Sequence, residues 1–475
     1  MKRVRFAKRP IASAFLFILI GPCVTTAADN RQSIEYVLKV QRACEAAIWG
    51  MPAVGIYGIE NSIPRDLGGQ FGDVVYFTKP MTSRHGFLTA NNVTPYVTSA
   101  QSTKDGPLVV EVPPAARKAS YFGTFVDSWD APIADVGPPG DDKGRGGKYL
   151  FLPPGYEGDI PDGYFVYRPL TYGVHFAFRA VTRNGGTPED AAAYAQTLKV
   201  YRLSEASHPA ATTFIDAYPK RWNTLPVYDI TYFHDLNAVI QKEPVLERDK
   251  VMMAYLASLG IEKGRPFEPD AETVRALEEG LQRAYDAMQS YFTTPGASMT
   301  PYWENRQWQV WKFAEGQPEA GFPYVTDDRV LIDERAGCSY FWITYLPKQL
   351  GGGTFYLTGL RDAGGELMNG TDTYRLRVPQ DTPAKDFWSV IVYSMRTKGF
   401  VEDAERVGLS AKDVGSLQTN DDGSVDIYFA PEPPDGLKSN WIPTGEDFFL
   451  LFRLYGPDER LFEKTWTLGD IEKVN

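Results

Sequence analysis

The chain has 475 residues, with 49 basic and 60 acidic side chains and a formal net charge of −11 at pH 7. At roughly 150 residues per domain, this length predicts about three domains, each large enough to bury a core of its own. The acidic balance argues against nucleic acid as a partner, because neutralising phosphates requires a basic face.

Residues 1–28 predict an export signal. The opening MKRVRFAKRP is basic and contains no acidic residue, the apolar run IASAFLFILI follows, and small residues mark a cleavage site near Ala28. The apolar run is too short to span a bilayer, which takes roughly 20 residues. We therefore expect a periplasmic or secreted mature protein without a transmembrane segment. Export would permit a disulfide between Cys44 and Cys338, but isolated cysteines are also common packing residues, so both alternatives stay open.

Residues 29–185 predict a helix followed by a β module. Apolar residues recur at helical spacing from Gln32 to Trp49, and Gly50 with Pro52 predicts the end of this helix. Runs rich in Val, Tyr and Phe, separated by turn residues, then predict strands between 74 and 183. These runs are VVYF, PLVVEV, YFGTFV, KYLFL, GYFVYR and VHFAFRAV.

Residues 186–335 predict a helical middle region. Thr187 as N-cap with Pro188 behind it starts one helix. A second helix is predicted in EPVLERDKVMMAYLASLG, ending at Gly260, and a third in DAETVRALEEGLQRAYDAMQSYF, with Asp270 as N-cap.

Residues 336–475 predict a C-terminal β sandwich. Its strands are expected in SYFWITYL, GTFYLTGL, TDTYRLRV, DFWSVIVYS, SVDIYFA and DFFLLFRLYG. The predicted fold class is thus multi-domain α and β, with two mainly antiparallel sandwich-like or jelly-roll-like modules separated by a helical segment.

Several catalytic and cofactor motifs do not occur in the sequence. There is no G-x-S-x-G elbow and no H-E-x-x-H pair, and GDDKGRGGKY lacks the spacing of a phosphate-binding loop. The four histidines do not share metal-ligand spacing. We expect neither a metal site nor a bound cofactor.

The segment DSWD places Asp127 and Asp130 on either side of Trp129. Two carboxylates three residues apart can serve acid and base chemistry, and an aromatic plane beside them suits a sugar ring. Asp is also a common turn former after a strand, because its side chain bonds nearby backbone N–H groups. The aromatic content of 13% of the chain fits glycan recognition as well as core packing.

Several longer motifs occur in a fixed order along the chain. They include NNVTPYVTSAQSTKDGPLVVEVP, FVDSWDAPIADVG and GKYLFLPPGYEG in the first half, and LRDAGGELMNGTDTYRLRVP, DFWSVIVYS, SNWIP and FFLLFRLYGPDE in the second. Together they resemble the bacterial exported two-module family catalogued as domains of unknown function 1254 and 1214. The resemblance covers roughly residues 70–200 and 340–470 and implies an N-terminal β module, a helical middle and a C-terminal sandwich. The polar family positions fall on Asn91, Tyr96, Asp127, Arg179, Asn440, Trp441, Arg453 and Tyr455.

These residues lead to a functional hypothesis. We expect a cofactor-independent enzyme of hydrolase or lyase type that acts on a small polar or saccharide-like substrate in a cleft between the β modules. Asp127, Tyr96 and Tyr455 are the predicted catalytic acid and base groups. The predicted substrate-binding residues are Trp129, Asp130, Arg179, Asn440, Trp441 and Arg453, with Arg453 as an anion clamp. The alternative is a periplasmic ligand- or glycan-binding envelope protein without turnover, and either could be a homo-oligomer.

Overall fold

A computed structural model describes residues 25–312, 324–326, 328–342 and 353–474 of the chain, with side chains from Ile34 onward. Two β sandwiches and a group of helices make up these residues, which confirms the expected multi-domain α and β fold class. Residues 1–24 of the predicted export signal lie outside the described part. Across the described ranges, no helix is long and apolar enough to cross a membrane.

The helices of the described part include one that is much longer than the others. In chain order they are α1 (Thr25–Ser62), α2 (Pro188–Ala195), α3 (Ile230–Lys242), α4 (Lys250–Ser258), α5 (Ala271–Thr293), α6 (Ile332–Phe341) and α7 (Glu459–Phe462). Thr187 and Asp270 cap α2 and α5 as predicted, because each side chain accepts a hydrogen bond from a backbone N–H in the first turn.

The N-terminal sandwich has its strands between residues 74 and 216. They are β1 (Val74–Tyr76), β2 (His85–Gly86), β3 (Tyr96–Ser102), β4 (Leu108–Val112), β5 (Ala119–Val126), β6 (Pro132–Val136), β7 (Gly147–Phe151), β8 (Phe165–Tyr167), β9 (Gly173–Thr182), β10 (Lys199–Arg202) and β11 (Phe214–Asp216). A six-stranded sheet of order β11-β1-β3-β9-β5-β6 faces a four-stranded sheet of order β10-β4-β7-β8, while β2 pairs with β12 (Trp222–Asn223). Most pairs are antiparallel; β1–β11, β7–β8 and β2–β12 are parallel.

The C-terminal sandwich repeats this plan of six strands against four. Its strands are β13 (Met299–Pro301), β14 (Gln309–Trp311), β15 (Thr354–Gly359), β16 (Thr373–Val378), β17 (Ala384–Ser394), β18 (Gly408–Ser410), β19 (Val425–Ala430), β20 (Trp441–Pro443), β21 (Phe448–Pro457) and β22 (Glu472–Val474). The larger sheet has the order β13-β14-β15-β21-β17-β18 and the smaller one β20-β19-β16-β22. The middle of the chain therefore contributes strands to both sandwiches as well as helices.

Three main cores hold the molecule together. Each sandwich encloses an apolar interior, and a third core lies between the helices and the outer faces of the two six-stranded sheets. Strands β9 and β21 are buried on both faces, because alternate residues point into the sandwich interior and into this third core. Any polar residue in these two strands is therefore forced into a buried position.

Two predicted elements differ from the structure. Helix α1 continues past Gly50 and Pro52, because residues 50–56 are almost entirely buried in the third core and this packing outweighs the local helix-breaking tendency. The strand expected in SYFWITYL is wrong at Ser339–Phe341, which form the end of α6. In a short run of apolar residues, the spacing alone does not distinguish a fully buried helix from a fully buried strand. The rest of that segment, from residue 343, lies outside the described residues.

Cys44 and Cys338 are not joined by a disulfide and both are free thiols. Cys338 is buried in α6, and burial raises the pKa of its thiol. Of the two alternatives left open by the sequence, the structure therefore shows the packing role.

Candidate functional site

A pocket lies where the outer faces of the two six-stranded sheets approach each other. Its volume, counted out to its open mouth, is about 540 Å³. One wall is apolar and includes Ile59, Met81, Phe87, Leu88, Ala90 and Trp342. The polar lining consists of Thr89, Tyr96, Thr98, Arg179, Tyr356 and Arg453.

Each sandwich contributes one arginine–tyrosine pair to the pocket. In the N-terminal sheet Arg179 of β9 lies directly opposite Tyr96 of β3. In the C-terminal sheet Arg453 of β21 lies directly opposite Tyr356 of β15. Phe178 and Phe452, one position earlier in β9 and β21, belong to the sandwich cores, so strand alternation directs both arginines outward to the pocket.

The two pairs are interlocked by hydrogen bonds from Arg179. Its Nε donates to the Tyr96 hydroxyl at 3.0 Å and its Nη2 donates to the Tyr356 hydroxyl at 2.7 Å. The second bond crosses from one sandwich to the other. Arg179 is 3% exposed, so both bonds form in a largely dry environment, where they hold the two phenols in place.

Arg453 is buried among aromatic rings. Its guanidinium carbon lies 5.4 Å from the ring centroid of Tyr356 and 5.6 Å from that of Tyr393. Its Nη2 donates to the carbonyl oxygen of Thr89 at 2.9 Å and, more weakly, to that of Ala90 at 3.4 Å. Burial lowers the pKa of Arg453, but the tyrosines around it raise the pKa by more, so the side chain keeps its charge.

Arg453 has unused hydrogen-bonding capacity. Its Nε and Nη1 are buried and find no hydrogen-bond acceptor in the described part of the chain. Over the same ranges, no carboxylate lies within ion-pair distance of Arg453, and no Asp or Glu side chain lines the pocket. A buried cation with unpaired N–H groups is costly unless something else supplies the acceptors.

The loop after β2 forms the side of the pocket nearest Arg453, and the C-terminal sandwich holds it in place. Thr89 has a positive φ of 41°, which is unfavourable for a β-branched residue. Its N–H donates to the carbonyl of Lys398 and its hydroxyl to the carbonyl of Phe341. The Tyr393 hydroxyl donates to the carbonyl of the next residue, Ala90. Backbone strain held by several contacts is a common feature of functional sites.

Tyr455, a predicted catalytic residue, lies behind the pocket and does not line it. Its hydroxyl accepts a hydrogen bond of 2.8 Å from the side-chain amide of Asn91, and its ring stacks on Phe387 at 4.1 Å. Burial raises the pKa of Tyr455, whereas Arg453 and Arg179 lower it, with a net rise. Tyr455 therefore supports the loop that carries Asn91.

The DSWD segment follows the C-terminal end of β5, and its residues do not line the pocket. Phe122 pairs with Arg179, whereas Asp127 comes five residues later, roughly 16 Å along the strand at 3.3 Å per residue. The Asp127 carboxylate accepts hydrogen bonds from the backbone N–H groups of Trp129 and Ala131, both at the same oxygen. Burial raises the pKa of Asp127 to about 6.

The other residues of this segment pack against the helices. The Trp129 ring lies 4.4 Å from that of Trp49 and 5.7 Å from the Arg335 guanidinium. Asp130 has a φ of 58° and accepts a hydrogen bond from the Ser339 hydroxyl. Neither residue lines the pocket.

Asn440 directly precedes β20 of the smaller C-terminal sheet and Trp441 begins it, and neither residue lines the pocket. The Asn440 side chain exchanges hydrogen bonds with the backbone of Gln418 and donates to the carbonyl of Asp426. The Trp441 indole donates to the carbonyl of Ala430. Both side chains thus fasten loops and strand ends of the sandwich.

The pocket brings together three of the nine predicted site residues, Tyr96, Arg179 and Arg453, and Tyr455 lies one layer behind them. Sequence reasoning missed Tyr356 and Thr89. Tyr356 could have been found in GTFYLTGL, because a strand pairing with β21 would set a tyrosine opposite the arginine. In the described residues, no group of three or more His, Cys, Asp or Glu side chains is arranged to hold a metal ion.

Comparison with solved structures shows a similar fold in a bacterial protein. The crystal structure of the VPA0106 protein from Vibrio parahaemolyticus matches with a TM-score of 0.54 and 17% sequence identity, covering 92% of this chain and 100% of that chain. A putative uncharacterized protein from Burkholderia cenocepacia matches with a TM-score of 0.38 and 12% identity, covering 95% of this chain and 98% of that chain. No curated protein matches the chain.

Family models identify both β modules. Residues 71–203 match the model described as protein of unknown function DUF1254, which corresponds to the N-terminal sandwich. Residues 353–459 match the model described as protein of unknown function DUF1214, which covers most of the C-terminal sandwich. The chain therefore belongs to the two-module family of proteins that carry a DUF1254 domain followed by a DUF1214 domain.

Proposed function

We propose that this protein binds a small organic molecule in the pocket between its two β modules. The observation that carries the proposal is the joint construction of the pocket, in which the Tyr96–Arg179 pair of one sandwich interlocks with the Tyr356–Arg453 pair of the other. Ligand sites favour interfaces between domains, where apolar walls meet a few well-placed polar groups.

The pocket's size and lining support a compact ligand with an apolar body. The volume of about 540 Å³ includes solvent at the open mouth, so the enclosed part of the pocket suits only a compact ligand. Side chains such as Phe87, Leu88 and Trp342 offer a continuous apolar wall. This lining favours an apolar or aromatic ligand over the saccharide that the sequence suggested.

A thermal-shift screen tests the binding proposal. Aromatic acids, esters, alcohols and short glycans would be added singly, and saturable stabilisation would be followed for each. Leu88→Trp should fill the pocket and abolish stabilisation by hits, whereas Leu367→Trp places the same side chain at an exposed position outside it. Equal stabilisation of both variants would place the binding site elsewhere and defeat the proposal.

A second candidate function is turnover by acid–base chemistry, favoured by the bonds from Arg179. The hydroxyl oxygens of Tyr96 and Tyr356 each accept a hydrogen bond from it, so each phenol proton stays available to a ligand. A guanidinium next to a phenol also stabilises negative charge that develops on the oxygen during proton transfer. A hydrolase or lyase reaction without a cofactor could use this arrangement.

Mass spectrometry of each screening hit separates turnover from simple binding. A new product that disappears in Tyr96→Phe or Tyr356→Phe, but persists in the control Tyr428→Phe outside the pocket, would establish an enzyme. Hits that return unchanged after long incubation would leave a binding protein. These hydroxyl deletions keep both aromatic rings, so the pocket itself should persist.

We also propose that the protein works outside the cytoplasm. The basic opening and apolar run of residues 1–28 support export. Sequencing the N terminus of the protein recovered from cells should show a start near Asp29, whereas an intact opening segment would contradict export.

A further inference from the structure

We infer that the ligand of this pocket is an organic carboxylate whose anionic group pairs with Arg453. The inference rests on the proposed function and adds the chemical class of the ligand. Arg453 lines the pocket and also contacts the N-terminal module through the carbonyl of Thr89.

The hydrogen bonding of Arg453 is incomplete. The residue is 2% exposed, its Nη2 donates to the backbone carbonyls of Thr89 and Ala90, and its guanidinium also interacts with the Tyr393 hydroxyl. Nε and Nη1 remain without an acceptor there. Buried arginines are normally matched by carboxylates or phosphates, since an unpaired buried charge is strongly unfavourable.

The side chain's orientation is fixed independently of any ligand. Rings of Tyr356 and Tyr393 lie within 6 Å of the guanidinium, and the bond to Thr89 anchors its far end. Arg179 adds a second positive charge, linked to the same site through the Tyr356 hydroxyl. A guanidinium held in one plane is pre-organised for a planar anion such as a carboxylate.

The end of α6 near the pocket favours a monoanion over a phosphate. Trp342 lines the pocket and directly follows the last residue of α6. This helix therefore approaches with its C-terminal end, which carries partial negative charge and disfavours a dianion. Phosphate sites commonly use the opposite, N-terminal end of a helix.

The apolar residues of the pocket lining indicate what the carboxylate is attached to. Phe87, Leu88 and Met81 offer no charged or amide groups to the ligand. A carboxylate with an aromatic or branched alkyl body would place its head at Arg453 and its body against this wall.

Isothermal titration of the full-length protein with matched ligand pairs tests the inference. Benzoate and phenylacetate would be compared with their neutral counterparts benzamide and phenylacetamide, and with inorganic phosphate. The wild-type protein should bind the carboxylates about 10- to 100-fold more tightly than the amides, as expected for hydrogen bonds to a charged group. Phosphate should not compete.

Variants then tie the selectivity to this side chain. Arg453→Gln should remove the preference for carboxylates while leaving amide affinity within about threefold, and Arg453→Lys should retain part of it. Arg406→Gln is the matched control, because Arg406 is half-buried, bonds backbone carbonyls and lies away from the pocket. If Arg453→Gln does not fold, the affinities for carboxylates and amides are compared in Arg453→Lys and Tyr356→Phe instead.

The outcomes separate the inference from the proposed function. Amides that bind the wild type as tightly as carboxylates, with Leu88→Trp still blocking both, would overturn the carboxylate assignment and keep the pocket as a ligand site. Carboxylate selectivity that survives in Arg453→Gln would overturn the role of this arginine. If neither series binds but an ester, alcohol or glycan of the thermal-shift screen does, the inference fails and the proposed function stands; if no compound of the screen binds, both fail.

Discussion

Replacing Asp127 with asparagine tests how burial of this carboxylate acts on stability, and whether the residue takes part in function. The folded protein holds the pKa of Asp127 at about 6, against an ordinary value of 3.8, because the side chain is buried. A carboxyl group whose pKa is raised binds its proton more tightly when folded. Its contribution to stability is therefore fully present below about pH 4 and is lost as pH rises through about 6.

The size of this effect follows from the two pKa values. Their difference corresponds to about 3 kcal/mol, of which about 2 kcal/mol falls between about pH 4.5 and 7.5. An asparagine side chain at this position would keep the turn, because both backbone N–H groups donate to one oxygen that the amide also provides. The substitution Asp127→Asn should thus stabilise the protein relative to wild type by progressively more as pH rises.

Urea unfolding at a series of pH values measures the difference in unfolding free energy between variant and wild type. Asp270→Asn is the control with the opposite sign, because a backbone hydrogen bond from Thr273 lowers the pKa of Asp270, and that residue's contribution is lost on acidification. A difference for Asp127→Asn that stays flat across this range would refute the reasoning. Ligand affinity should be unchanged, and a selective loss of turnover would restore the catalytic hypothesis for Asp127.

Three further substitutions address the surroundings of the pocket and the cores. Tyr455→Phe leaves the buried Asn91 amide without its acceptor and should lower the unfolding free energy by about 1–3 kcal/mol, measured by urea unfolding. Asn440→Ala removes hydrogen bonds inside the C-terminal sandwich and should lower the melting temperature while ligand affinity in titrations stays unchanged. Gly280→Ala places a Cβ 2.5 Å from that of Ala43 where α5 crosses α1, and this overpacking should cost about 1–3 kcal/mol in urea unfolding.

Matched controls keep these predictions specific. Tyr428→Phe removes a hydroxyl outside the pocket, and Gly415→Ala adds a methyl group where nothing lies within 4 Å. Equal unfolding free energies for the Tyr455 and Tyr428 variants would contradict the role of the Asn91 bond. An unchanged unfolding free energy in Gly280→Ala would mean that α1 and α5 can move apart without a cost in stability. A changed ligand affinity in Asn440→Ala would mean that Asn440 takes part in binding after all.

Local patterns in the sequence were sufficient for most elements of the fold. The caps at Thr187 and Asp270, the alternating strand runs and the turns between them depend on interactions within a few residues, and these interactions act the same way in any context. The end predicted for α1 at Gly50 was wrong because burial in a core built from distant segments outweighed the local signal. The strand predicted at Ser339–Phe341 was wrong because this end of α6 is buried on all sides, so its apolar run shows no helical period.

The candidate site depended much more on tertiary structure. The sequence alone determined that VHFAFRAV and FFLLFRLYG each carry one arginine inside an apolar run, which already placed both charges in buried strands. It also determined, through strand period, that each arginine points away from its sandwich interior. Only the packing of the two sheets decided that Arg179 and Arg453 meet at one pocket, that Tyr356 joins them, and that Asp127 does not line that pocket. Positions hundreds of residues apart are brought together by the burial of whole sheet faces, and no local pattern records which faces will meet.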